Sequence, residues 1–221
     1  MPEQVSLVQK KRVQLQQGVH DMGALVIEAL HRSVDCLSRQ DLDLAEQIIA
    51  QDERINQRRR LMEQECLVAL AAFKPAGEDL RCIGACLSLV SELERIGDYA
   101  ADVARIVRRA RDGVFPPAPV AAVAGLAGNA IAMLSEALAA FDSGGNAQRA
   151  RAAVAQEQLM DDQEDAVDDQ VVDMMRADPE FAPMGTYLLW IVHNYERVAD
   201  RATNVAERVI YIASGRTEEL S

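Results

Sequence analysis

The chain has 221 residues, 49% of them apolar but only 4% aromatic, and a formal net charge of -12. A core short of aromatics must be filled by alanine, leucine and valine, which favours helices over sheets. The acidic balance argues against unaided nucleic-acid binding, which needs a basic footprint, and fits a protein that meets cations or basic partner surfaces.

Read in order, the apolar positions recur at helical spacing almost throughout. A first helix is predicted from Gln4 to Arg39, its stripe carried by Met22, Leu25, Leu30, Val34 and Leu37. The turn Gln40–Asp43 follows, with Asp41 or Asp43 able to cap a second helix. That helix runs through Ile48, Ile55, Met62 and Leu70 to the stop at Lys74–Gly77. A third is predicted over 78–111. The stretch Asp112–Pro119 holds a glycine and three prolines, which places the boundary between two halves there, 1–114 and 115–221. Beyond it a fourth helix reaches Phe141, and Ser143–Gly145 ends it. Asn146 caps a fifth, which is read as one continuous helix to Asp178-Pro179. A sixth covers roughly 181–213 and stops at Gly215, leaving a frayed tail over 216–221. The plan is all-α: two pseudo-symmetric three-helix bundles built from six long helices.

The two halves share a written motif. Ser91–Arg105, SELERIGDYAADVAR, returns as Asn194–Arg208, NYERVADRATNVAER, with Glu94 and Glu196 102 residues apart. Glu94, Asp98 and Asp102 are spaced four apart and share one helix face, as do Glu196, Asp200 and Asn204. Like charges so spaced repel, and a cation, an arginine or water must offset that. The middle helices repeat as well. Asp52 and Asn56 stand as far from the cap at Asp41 as Glu157 and Asp161 stand from the cap at Asn146. Neighbouring helices of a bundle would then set Asp52/Asn56 against Glu94/Asp98, and Glu157/Asp161 against Glu196/Asp200. Helical carboxylate sites for iron, manganese or magnesium are built in this way. The competing reading is an acidic face that is solvated or neutralised by arginine, with Arg95 and Arg197 adjacent to the acids.

Other features are read as structural. Cys36, Cys66, Cys82 and Cys86 form no CxxC pair and are expected as buried thiols in a reducing compartment. His20, His31 and His193 are not assigned as ligands. The acidic run Asp161–Asp169 reads as a solvated surface, with a docking patch for a basic partner or an extra cation locus as the alternative. No signal peptide and no 18-residue apolar span is read, so a cytoplasmic location is expected. No phosphate-binding loop, GxGxxG, GxSxG or HExxH motif is present, and a di-iron oxygenase would want Glu-x-x-His pairs.

LERIGDYAADVAR and NYERVADRATNVAER resemble the twice-repeated signature of the PhoU family of phosphate-transport accessory proteins. His20–Gly23, Asp41–Asn56 and Met174-Met175 before Asp178-Pro179 extend the resemblance from about Leu7 to Gly215. The resemblance implies a non-catalytic, cytoplasmic regulator that represses the phosphate-starvation response and phosphate uptake. Its implied partners are the cytoplasmic subunits of the phosphate ABC transporter, the membrane histidine kinase of the phosphate regulon, and a second copy in a homodimer. It also implies iron, zinc, manganese or magnesium ions on the repeated carboxylates. Asp52, Glu94 and Asp98, with Asn56 and Asp102, would hold one site. Glu157, Asp161, Glu196 and Asp200, with Asn204, would hold the other. Asp102 departs from the asparagine common in the family, and Val198-Ala199 from the usual Ile-Gly. The alternatives are a PhoU-like regulator of another transporter, or a carboxylate-bridged helical protein without a phosphate role.

Overall fold

A computed structural model describes residues 6–155 and 157–220. Gln4 and Val5, the expected start of the first helix, lie outside the described residues. The helix that is described, α1 (Leu7–Arg39), opens on a capping box. Ser6 Oγ accepts from Gln9 N–H and the Gln9 side chain accepts from Ser6 N–H. It closes on Gln40, whose φ of 45° is left-handed, and the next residue, Asp41, caps α2 (Leu42–Phe73) through Leu44 N–H at 2.9 Å. α3 (Gly77–Arg109) returns antiparallel, carrying Arg108 and Arg109 at the negative end of its dipole.

The chain leaves the first bundle by a shorter connection than the prolines suggested. α4 (Pro117–Asp142) begins inside the proline-rich stretch, because proline in a first helical turn lacks only an N–H that would be unpaired anyway. α4 also corrects the expectation that no 18-residue apolar span exists, since such a window there has a mean hydropathy of 1.6. Half of that window is buried in the protein, with α4 packed on α7 and α1. Its alanines leave little bulk, and Gly23 of α1 lets the two halves close in: a methyl there would sit 2.8 Å from Leu138 Cδ1 of α4.

The expected fifth helix keeps its place but is interrupted. α5 (Ala147–Ala153) and α6 (Glu157–Ala177) are separated by a turn at Val154-Ala155. No glycine or proline marks the break. Ala150, Ala153 and Val154 are buried, with α5 against α4 and α7, and the new N-terminus receives Glu157, where a carboxylate meets the positive end of the helix dipole. A short 3-10 turn over Pro179–Phe181 leads to α7 (Ala182–Ser214), capped by Gly215 at φ 70°. The expected fraying of the tail is corrected as far as Leu220. Glu218 pairs with Arg151 at 2.8 Å, and Leu220 N–H donates to Glu207 at 3.0 Å. All four cysteines are free and buried.

α1, α2 and α3 pack on one another, and α4, α6 and α7 repeat the arrangement. The halves join side by side through α3 against α7 and α1 against α4. At the centre, Tyr195 of α7 is fully buried and shares a 2.9 Å hydrogen bond with Ser33 of α1. No strand occurs among the described residues.

Candidate metal centre

Antiparallel packing of α2 on α3 brings the first set of acids together. Asp52 Oδ2 accepts from Arg105 Nη2 at 3.3 Å, while its Oδ1 is buried with no hydrogen-bond partner. A cavity of about 50 Å³, enough for a water, lies beside it, lined by Gln51 and Gly97 among others. Arg105 also holds Asp102 at 2.6 Å. Arg59 of α2 places Nε 3.2 Å from Glu94 Oε1, an ion pair without hydrogen-bond alignment, and donates through Nη1 to Glu63 at 2.7 Å. Asp98 lies in the middle. Burial, then the charges of Glu94, Asp52 and Asp102, push its carboxyl up to about 6, against the opposing pull of Arg95. Asn56 is half-buried on α2. The arginine expected to neutralise this face, Arg95, lies 4.0 Å from Glu94, so Arg59 and Arg105 do most of that work.

The second set is assembled by α6 and α7. Glu157, the first residue of α6, accepts from Thr203 Oγ1 at 3.2 Å. Burial raises its pKa, Thr203 opposes that, and Asp200, Asp161 and Glu207 add to it. Glu196 is raised to about 7, first by burial and then by Asp200 and Glu164, and its Oε2 is buried without a hydrogen bond. Asp161 is exposed on α6, and Asp200 lies 3.8 Å from Arg197. Asn204 points elsewhere. Its amide donates to Glu92 of the first half at 3.3 Å, beside the 3.1 Å pair between Arg201 and Glu92. Glu207, three residues past Asn204, accepts the Leu220 N–H.

Three residues join this second set that the sequence reading left out. Glu164 and Asp168 belong to the run expected to be solvated, but both are half-buried, and Asp168 Oδ1 is buried without a partner. Burial leads the upward shift of each, reinforced by neighbouring acids. His193, not assigned as a ligand, has Nδ1 3.3 Å from Glu196 Oε2, and Glu164, His193 and Glu196 each offer an atom within 4.8 Å of the others. The signal was available. Carrying the repeat one and two turns past Glu157 and Asp161 reaches Glu164 and Asp168, and His193 is one turn before Glu196.

Buried carboxylate oxygens without donors, in a cluster with an imidazole, form an oxygen-rich donor set that a hard or borderline cation satisfies. The second half therefore fits a metal ion. The first does not fit one in the same way, because Asp52, Glu94 and Asp102 already face guanidinium groups, leaving only Asp98 and Asp52 Oδ1 without one. The fold and this site define a class: an all-α protein of two repeated three-helix bundles with carboxylates at the junction of second and third helices.

Comparison with known proteins gives the particular family. A family model described as the PhoU domain matches twice, over residues 19–107 and 123–209. A curated relative from Pseudomonas aeruginosa, a phosphate-specific transport system accessory protein PhoU homolog, is 33% identical over 195 residues, covering 88% of this chain and 80% of its own. The crystal structure of PhoU from Pseudomonas aeruginosa superposes with a TM-score of 0.89 at 30% identity, covering 94% of this chain and 99% of the other. That of the phosphate transport system regulatory protein PhoU from Streptococcus pneumoniae gives 0.88 at 28% identity, covering 96% and 100%. The chain belongs to the PhoU family.

Proposed function

We propose that this protein is a cytoplasmic negative regulator of the phosphate-starvation response and of phosphate uptake. It couples the phosphate ABC transporter to the phosphate-sensing histidine kinase, acts as a homodimer, and is not an enzyme. The observation that carries this reading is the likeness, along nearly the whole chain and in both halves, to proteins named for phosphate-specific transport. Each half, residues 1–114 and 115–221, serves as one unit of the repeat. The −12 net charge favours docking on basic surfaces of the partners over nucleic acid.

The second part of the proposal is metal binding by the second half. Glu157, Glu164, Glu196, Asp200 and His193 would hold the ion, with Asp161 and Asp168 beside them. Iron, zinc, manganese or magnesium would supply there the positive charge that offsets repulsion among the acids. The chain's own residues do the positioning. Thr203 orients Glu157 by donating to it, and burial of one edge of α7 keeps Glu196 and Asp200 turned toward α6.

The regulatory part is tested by alkaline-phosphatase output in high phosphate, comparing the parent cell with a deletion and with a complemented deletion. Constitutive output in the deletion, returned to the repressed level by the gene, is the expected result. Unchanged output in a genome without a second copy would overturn the phosphate reading and leave a PhoU fold with another client.

A further inference from the structure

We propose that the first half carries its own cations, Arg59 and Arg105, in place of a metal, so that the protein takes up metal in its second half only. This rests on the metal-binding part of the proposed function and deepens it.

The argument comes from register and contact together. In the middle helices Asp52 corresponds to Glu157, which makes Arg59 correspond to Glu164 and Glu63 to Asp168. In the third helices Glu94 corresponds to Glu196, which makes Arg105 correspond to Glu207 and Ser91 to His193. Over the eight positions that flank the site, the first half has five acids and two arginines. The second half has seven acids and no arginine. The charge is thus inverted at two places, one on each helix.

Both arginines make the contacts that a cation would make. Arg105 bridges α2 and α3, with Nη2 3.3 Å from Asp52 and Nη1 2.6 Å from Asp102. Arg59 does the same one level away, reaching Glu94 at 3.2 Å and Glu63 at 2.7 Å. A guanidinium stays charged at any working pH and, being tethered, cannot be removed by dilution or a chelator. An incoming ion would have to displace two such groups. Each half leaves buried carboxylate oxygens without a hydrogen bond, Asp52 Oδ1 in the first and oxygens of Glu196 and Asp168 in the second, but in the second half Glu164 stands where Arg59 would be. The first bundle is therefore assembled permanently, and only the second responds to metal supply.

The test uses the full-length chain and manganese(II), counting bound ions at saturation by the loss of the free-ion electron paramagnetic resonance signal. The triple variant Asp52→Asn, Glu94→Gln, Asp98→Asn should bind as many ions as wild type. The matched variant Glu157→Gln, Glu196→Gln, Asp200→Asn should lose them. Exchanging the arginines, Arg59→Glu with Arg105→Glu, should raise the count by at least one ion per chain. Loss of ions from the first triple variant comparable to that from the second would overturn this inference while leaving metal binding intact. No uptake by wild type or by the arginine exchange would overturn both. Should the exchange not fold, the two isosteric triple variants decide the matter alone.

Discussion

The two halves follow one plan and solve two of its problems differently. In the first, the middle helix α2 is continuous over 32 residues and its acids are balanced by arginines from α2 and α3. In the second, the corresponding helix is cut into α5 and α6, and its acids face one another. The difference shows that the repeat preserves helix positions and the direction of the site, while the charges that stabilise it are free to diverge. It also separates the packing of the halves from their electrostatics.

The largest effect that would break the comparison is in the core. Leu93 and Tyr195 occupy corresponding positions on α3 and α7, and both are fully buried. Leu93→Ala should cost about 2–5 kcal/mol, read from the shift of the denaturation midpoint. Tyr195→Phe keeps the ring but removes the bond to Ser33, and should cost only about 1 kcal/mol. An equal loss for the two would mean that the central hydrogen bond, not packing, holds the halves together.

Next is the crossing of the middle and third helices. A Cβ on Gly97 would fall 2.9 Å from Ile55 Cδ1, whereas the corresponding pair in the second half is Ala199 and Met160. Gly97→Val should destabilise by about 1–3 kcal/mol. Gly97→Ala with Ile55→Met copies the second half's solution and should recover most of the stability lost by Gly97→Ala alone, measured by urea unfolding.

A smaller effect is pH dependence. In the folded protein without metal, Asp98 and Glu196 hold protons up to about 6 and 7. The unfolded chain releases them at lower pH, near the ordinary carboxylate values, so the folded state binds more protons in between. Stability should therefore fall as pH rises from about 4.5 to 7. Glu196→Gln should flatten the upper part of that decline and Asp98→Asn the lower part, as read from melting temperatures across the range.

The smallest effect lies at the seam between the halves. His20 Nδ1 sits 2.7 Å from Asp142, which raises its pKa by hydrogen bonding and charge, on an exposed part of α1 and α4. The pair's contribution is fully present below the ordinary histidine value and is lost as pH rises through the raised one. Asp142→Asn should remove a few tenths of a kcal/mol, about the scale of exposed pairs, and only on the acid side.

What was legible in the sequence was local. The spacing of Met22, Leu30, Ile48 and Ile55 gave the helices, Asp41 and Asn146 gave caps, Gly215 gave a stop, and the repeat gave two bundles and the faces on which Asp52, Glu94, Glu157 and Glu196 stand. These depend on a residue's own helix, whose period fixes direction whatever it packs against. Tertiary structure alone decided the rest. It selected Arg59 and Arg105 over Arg95, turned Glu164 and Asp168 of an apparently solvated run toward α7, added His193, and aimed Asn204 at Glu92. It also buried the apolar α4, cut α5 from α6 without a breaker residue, and tied Glu218 and Leu220 down. Helical periodicity says which side of a helix a charge is on. Only the packing of other helices settles which charges meet there, and how much water is left between them.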